Sequence, residues 1–159
     1  MSYASNASIG TLVAGGNGSG THSYQLYSPY SVHFDSFSNS LVIANYGAHN
    51  IVRWVIGASG WTLIAGYVGS AGSTSMTLLY PTDAIFDPIG NIYVADRNNE
   101  RIQFFRASQP NGTTIAGVTQ SSGNSANLLY RPYAMALDKQ LNLYVTDSSN
   151  HRVQKFHRY

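Results

Sequence analysis

The residues able to do chemistry in this chain are few and scattered. Histidine stands at His22, His33, His49, His151 and His157, and no cysteine is present to join them. A zinc site needs three or four donors about 2.0–2.3 Å from one point. None of these histidines lies at close ligand spacing to another. Two carboxylate–guanidinium pairs recur instead: Asp96 with Arg101, and Asp147 with Arg152, each five residues apart. An acid and a base that return together read as structural ion pairs whose carboxylate also accepts loop amides. Where the pattern occurs a first time, Asn45 and Asn50 stand in for both charges. The glycine-rich run Gly15-Gly16-Asn17-Gly18-Ser19-Gly20 lacks the Lys-Ser/Thr ending of a phosphate loop, and no helix pattern follows it. No metal, cofactor or catalytic group is expected.

The elements that position these residues repeat about every 51 residues. Thr11-Leu12-Val13-Ala14-Gly15 returns as Thr62-Leu63-Ile64-Ala65-Gly66 and as Thr113-Thr114-Ile115-Ala116-Gly117. Pro29 with Asp35 returns as Pro81 with Asp87 and Pro132 with Asp138. Within the second unit, Pro81 to Asp87 reads as a strand ended by the turn Asp87-Pro88-Ile89-Gly90. Asn91 to Asp96 is apolar on both faces, so this second strand lies between two layers. Arg97-Asn98-Asn99-Glu100 links it to a third strand, Arg101 to Phe105, and the turn at Asn111-Gly112 leads into a fourth. No segment carries a helical period. The chain is therefore all-β, built from antiparallel four-stranded sheets that bury their faces by radial stacking, as propeller blades do. An N-terminal arm covers 1–10, and the blades span roughly 11–66, 67–117 and 118–159.

Asp87 to Phe105 resembles an NHL repeat, and Asp138 to Phe156 resembles it nearly as closely, while the first unit diverges with an extra residue in Ser36 to Ser40. The resemblance implies a six-bladed propeller, of which three blades are half. The chain opens on a fourth-strand motif and closes on a third strand, Arg152 to Phe156. Two copies could close one ring, each N-terminal strand completing the other chain's last blade. A fragment of a longer propeller is the competing expectation.

In a propeller the connections between strands two and three, and from strand four to the next blade, emerge on one face. Binding surfaces usually reside on such loops. The expected ligand-binding residues there are Tyr46, His49, Arg97, Asn99, Glu100, Asn150 and His151. His49, Glu100 and His151 hold equivalent positions, too far apart for one ion. A scaffold recognising a protein, peptide or glycan needs only this fold and its loops. A substrate-recognition or RNA-binding propeller associated with a ubiquitin ligase, as the resemblance allows, is the alternative. With a net charge of +2 and 10% charged residues, no broad basic face is supplied for nucleic acid. A metal-dependent lyase or lactonase would need acids and histidines converging on the inner strands, where only His33 and Asp83 are evident. No apolar run reaches bilayer length, and Met1 to Gly10 shows no secretory leader, so no membrane partner is expected and the cytoplasm is the default compartment. Sequons occur at Asn6, Asn17 and Asn111.

Overall fold

A computed structural model describes residues 9–158. Among them, eleven strands form three antiparallel sheets. Blade 1 contains β1 (Pro29–Asp35), β2 (Ser40–Asn45), β3 (Asn50–Val55) and β4 (Thr62–Gly66), in that spatial order. Blade 2 contains β5 (Pro81–Phe86), β6 (Ile92–Asp96), β7 (Arg101–Phe105) and β8 (Gly112–Gly117). Blade 3 contains β9 (Pro132–Leu137), β10 (Leu143–Asp147) and β11 (Arg152–Phe156), with no fourth strand among the described residues. Each innermost strand begins on proline, a position where the missing N–H breaks no ladder bond.

The turn after each inner strand is organised by its aspartate. Asp87 Oδ1 accepts from the amides of Ile89 and Asn91, and its Oδ2 accepts from Asn91 Nδ2 at 2.8 Å. Asp138 repeats this with the amides of Gln140 and Asn142 and with Asn142 Nδ2. The divergent first unit solves the same turn differently: Asp35 accepts from Ser38 Oγ, from the Phe37 amide and from Arg53. The Ser38 hydroxyl and the Arg53 guanidinium together hold the Asp35 carboxyl down to about 2.

Two apolar layers bind the blades face to face. Val42 and Ile51 of blade 1 pack with Leu78, Val94 and Phe105, while Ile85 and Ile102 of blade 2 pack with Leu129, Met135 and Val145. Strand β6 feeds both, with Val94 turned to blade 1 and Tyr93 and Ala95 to blade 3, as its two apolar faces require. A third cluster, Ile43, Val52, Trp54 and Trp61, lies on the far side of blade 1 and is capped by Ala14 and Leu26. The Trp61 indole N–H donates to the Gln25 carbonyl at 2.7 Å, fixing that cap. No cluster joins blade 3 back to blade 1 among the described residues, so the three blades form an open arc. Thr11 to Gly15, a strand by its sequence, carries no ladder here.

Candidate functional site

The connections from β2 to β3, from β6 to β7 and from β10 to β11 are single 3₁₀ turns closed by a left-handed residue: His49, Glu100 and His151, at φ 58°, 59° and 54°. In blades 2 and 3 a buried aspartate ties the turn down. Asp96 Oδ1 accepts from the Leu79 amide at 2.7 Å, and Oδ2 accepts from Asn99 Nδ2 and Arg101 Nε, both at 2.8 Å. Arg101 extends the tie by donating to the carbonyls of Ser73, Thr74 and Thr77. Asp147 repeats it with the Tyr130 amide, Asn150 and Arg152, and Arg152 reaches the carbonyls of Asn124, Ser125 and Leu128.

The two carboxyls titrate differently. Burial pushes Asp96 up to about 6, although the Leu79 amide, Asn99 and Arg101 all pull it down. Burial also opposes ionisation of Asp147, but the Asn150, Tyr130 and Arg152 bonds outweigh it and hold the group low. In blade 1, Asn45 Oδ1 takes over the amide-accepting part, bonding the Tyr27 N–H at 2.7 Å. Asn45 Nδ2 and both polar side-chain atoms of Asn50 are buried without a partner among the described residues.

This geometry redistributes the residues expected to bind ligand. Asn99 and Asn150 turn inward, donating to the Gly72 and Gly123 carbonyls as well as to their aspartates. His49 and Glu100 reach across to the next blade: His49 Nδ1 accepts from the Tyr80 amide at 3.1 Å, and the Glu100 carboxylate accepts from the Arg131 amide. Arg97 donates to its neighbour Asn98, and His151 is exposed with no described partner.

What this face presents outward is aromatic. Tyr30 stacks on Tyr46 with ring centroids 4.0 Å apart, Tyr46 meets Tyr80 at 4.8 Å, and the His49 ring stands edge-on to Tyr80 at 4.4 Å. Tyr30 also meets Tyr133, from blade 3, at 6.1 Å. Tyr30 and Tyr133 remain 48% and 43% exposed. Of these, Tyr46 and His49 are among the expected ligand-binding residues, and Tyr80 ends a connection expected on the same face. The usable signal was a tyrosine beside each inner-strand proline, at Pro29-Tyr30, Tyr80-Pro81 and Pro132-Tyr133.

Below the tyrosines, His33 Nε2 and Asp83 Oδ1 lie 2.9 Å apart, and Asp83 Oδ2 accepts from the Met135 amide at 2.9 Å, so one carboxylate touches all three blades. The Asp83 bond raises the His33 pKa above 6.5, against burial, which lowers it. The folded state therefore holds this proton more tightly than the unfolded chain. Its stabilisation is fully present below 6.5 and is lost as pH rises through the raised folded value. His49 carries the opposite sign: burial lowers its pKa, so its contribution is present above 6.5 and is lost as pH falls through the lowered value. Urea midpoints are accordingly expected to fall most at acid pH for His33→Gln and most at alkaline pH for His49→Gln. Deficits independent of pH would remove both ring nitrogens from this account.

A cavity of about 780 Å³ opens elsewhere, between blades 1 and 2 at the opposite end of the strands. Its lining includes Asp35, Arg53, Ile64 and Phe86. Arg53 there is already bound to Asp35, Ser38 and Ser40 and packs over the Phe86 ring. The charged pair in its wall is thus self-contained, and we place the candidate site at the tyrosine face. Among the described residues no three His, Asp or Glu side chains converge as metal ligands would.

Residues 129–156 match the NHL repeat family. No curated protein matches the chain. Among solved structures, the chain is similar to an auxiliary nutrient binding protein from Bacteroides ovatus ATCC 8483, at 22% identity and a TM-score of 0.60, over 78% of this chain and 36% of that one. A second auxiliary nutrient binding protein, from Bacteroides thetaiotaomicron VPI-5482, is similar at 19% identity and a TM-score of 0.63, with the same coverage. A streptogramin B lyase is similar at 11% identity and a TM-score of 0.57, over 81% of this chain and 37% of that one. The chain spans just over a third of the length of these proteins, and at such identities the likeness is one of fold.

Proposed function

We propose that the chain is a non-enzymatic binding module that takes a protein, peptide or glycan on its tyrosine face. The observation that carries this reading is the contiguous cluster of Tyr30, Tyr46, Tyr80 and Tyr133, drawn from all three blades onto one surface. Tyrosine offers a large amphipathic contact area at low entropic cost, and it is enriched where proteins bind partners. Proteins of similar fold include nutrient binders and a lyase. Binding is favoured over chemistry because the acid–base pair beneath this face, His33 with Asp83, is engaged in joining the blades. The same reading takes the three blades as half of a six-bladed ring whose mouth these tyrosines rim.

The test is retention of the labelled protein on arrays of immobilised oligosaccharides and peptides. Tyr30→Ala and Tyr133→Ala are each expected to weaken the retained interaction roughly tenfold or more, the effect of removing an aromatic anchor. Phe37→Ala, a fully exposed residue at the other end of the strands, should change nothing. Absence of any retention, or retention that survives both tyrosine substitutions, sinks the reading.

A further inference from the structure

The two ends of the arc are complementary to each other. In blade 1, Asn50, Ile51, Val52 and Arg53 pair with Gly66, Ala65, Leu63 and Thr62. In blade 2, Arg101, Ile102, Gln103 and Phe104 pair with Gly117, Ala116, Thr114 and Thr113. Strand β11 presents the same edge, Arg152 onward, with nothing paired to it among the described residues.

Thr11 to Gly15, meanwhile, already stands where a fourth strand stands relative to the blade that follows it. Gly15, Gly66 and Gly117 all have positive φ, and a Cβ on each would meet Leu26, Leu78 or Leu129 Cδ1 at 3.2, 3.2 or 3.1 Å. The chain beyond each glycine makes the same parallel bridge, Ser19 to Leu26, Ala71 to Leu78 and Ser122 to Leu129. Only the third-strand side differs. Gly66 and Gly117 abut the carbonyls of His49 and Glu100, and Gly15 has no such neighbour.

We propose that β11 of one copy accepts Thr11 to Gly15 of a second copy as its fourth strand, so that two copies close one six-bladed ring by reciprocal exchange. The register follows from the repeat: Arg152 opposite Gly15, Val153 opposite Ala14, Gln154 opposite Leu12 and Lys155 opposite Thr11. The exchange also supplies the missing cross-blade bond. The Tyr80 and Arg131 amides are capped by His49 and Glu100 of the preceding blade, whereas the equivalent Ser28 amide and the His151 side chain have no described partner. His151 of one copy meets Ser28 of the other. Val32, Phe34 and Val153, exposed by 57%, 60% and 64% on the two end blades, become covered. Six blades lie within the roughly four to eight that close a propeller, and head-to-tail contacts form a ring when the rotation closes. This assembly is independent of what the tyrosine face binds.

Light scattering during size exclusion is expected to give one discrete species at twice 17.3 kDa. The chain has no cysteine, so a double variant, Ala14→Cys with Val153→Cys, reports the register. Directly opposed strand residues, with Cα atoms about 4.5–5.5 Å apart, suit a disulfide. Under air oxidation it should become a covalent dimer on a non-reducing gel. Ala14→Cys with Lys155→Cys, two residues out of step, should not. A monomeric mass, as expected if the edge is filled by other chain, overturns the proposal. So does a ladder of larger oligomers, or equal cross-linking of both pairs.

Discussion

Asp96→Ala is expected to destabilise the protein by about 3–5 kcal/mol, the range for removing one member of a buried ion pair. The carboxylate is fully buried and Arg101 is only 3% exposed, so the guanidinium left behind cannot reach water. The Leu79 amide and Asn99 Nδ2 lose the same acceptor. Blade 1 indicates what a tolerated alternative looks like, since Asn45 keeps the amide bond and Asn50 removes the charge. The double variant Asp96→Asn with Arg101→Asn should therefore lose less than Asp96→Ala alone. Asp96→Asn by itself should fall near the alanine variant, because the stranded charge is the larger part of the penalty. Urea unfolding midpoints measure all three. A loss for Asp96→Ala no larger than that of Ser148→Ala, at an exposed turn position, would show that the ion pair does not hold the loops.

The order of these losses shows what the sequence makes visible. Asp96 and Arg101 could be read as a pair because the spacing and both identities return in the next repeat. The strands of blade 2 were legible almost to the residue, since a run apolar on both faces and the Asp87 and Asn111-Gly112 turns bound them. The contact between Tyr30 and Tyr133 was not legible. It joins residues in different blades, and their distance depends on how far each sheet rotates from the last, which no local pattern encodes. The bonds from His49 and Glu100 to the following blade escaped for the same reason, although their matched positions were plain. Asn99 and Asn150 were placed on the binding surface because they lie in exposed turns; the aspartates they bond pull their side chains inward. Thr11 to Gly15 has the composition of a strand, but a strand exists only where a neighbour completes its ladder.

That dependence gives the second large effect, at Gly117. Alanine there must hold φ at +77°, a left-handed conformation that costs an L residue about 1–2 kcal/mol. Its Cβ would also lie 2.2 Å from the Glu100 carbonyl oxygen and 3.0 Å from the Arg101 Cα. Both are backbone atoms, and Arg101 is tied to Asp96 and to three loop carbonyls, so neither can retreat. The β7–β8 edge must open instead, and the total loss is expected to be about 3–5 kcal/mol, read as a lower urea midpoint. Gly15→Ala separates folding from assembly. Within one chain the added carbon meets only Leu26 side-chain atoms, at 3.2 Å and beyond, so its cost should stay near the dihedral term. Across the proposed junction the same carbon would collide with the His151 carbonyl of the other copy, as Gly117→Ala does with Glu100. Gly15→Ala should therefore lose much less of its unfolding midpoint than Gly117→Ala, yet run at the single-chain mass. If both variants lost stability equally, or if Gly15→Ala kept the doubled mass, the equivalence of the two glycines across the ring would fail.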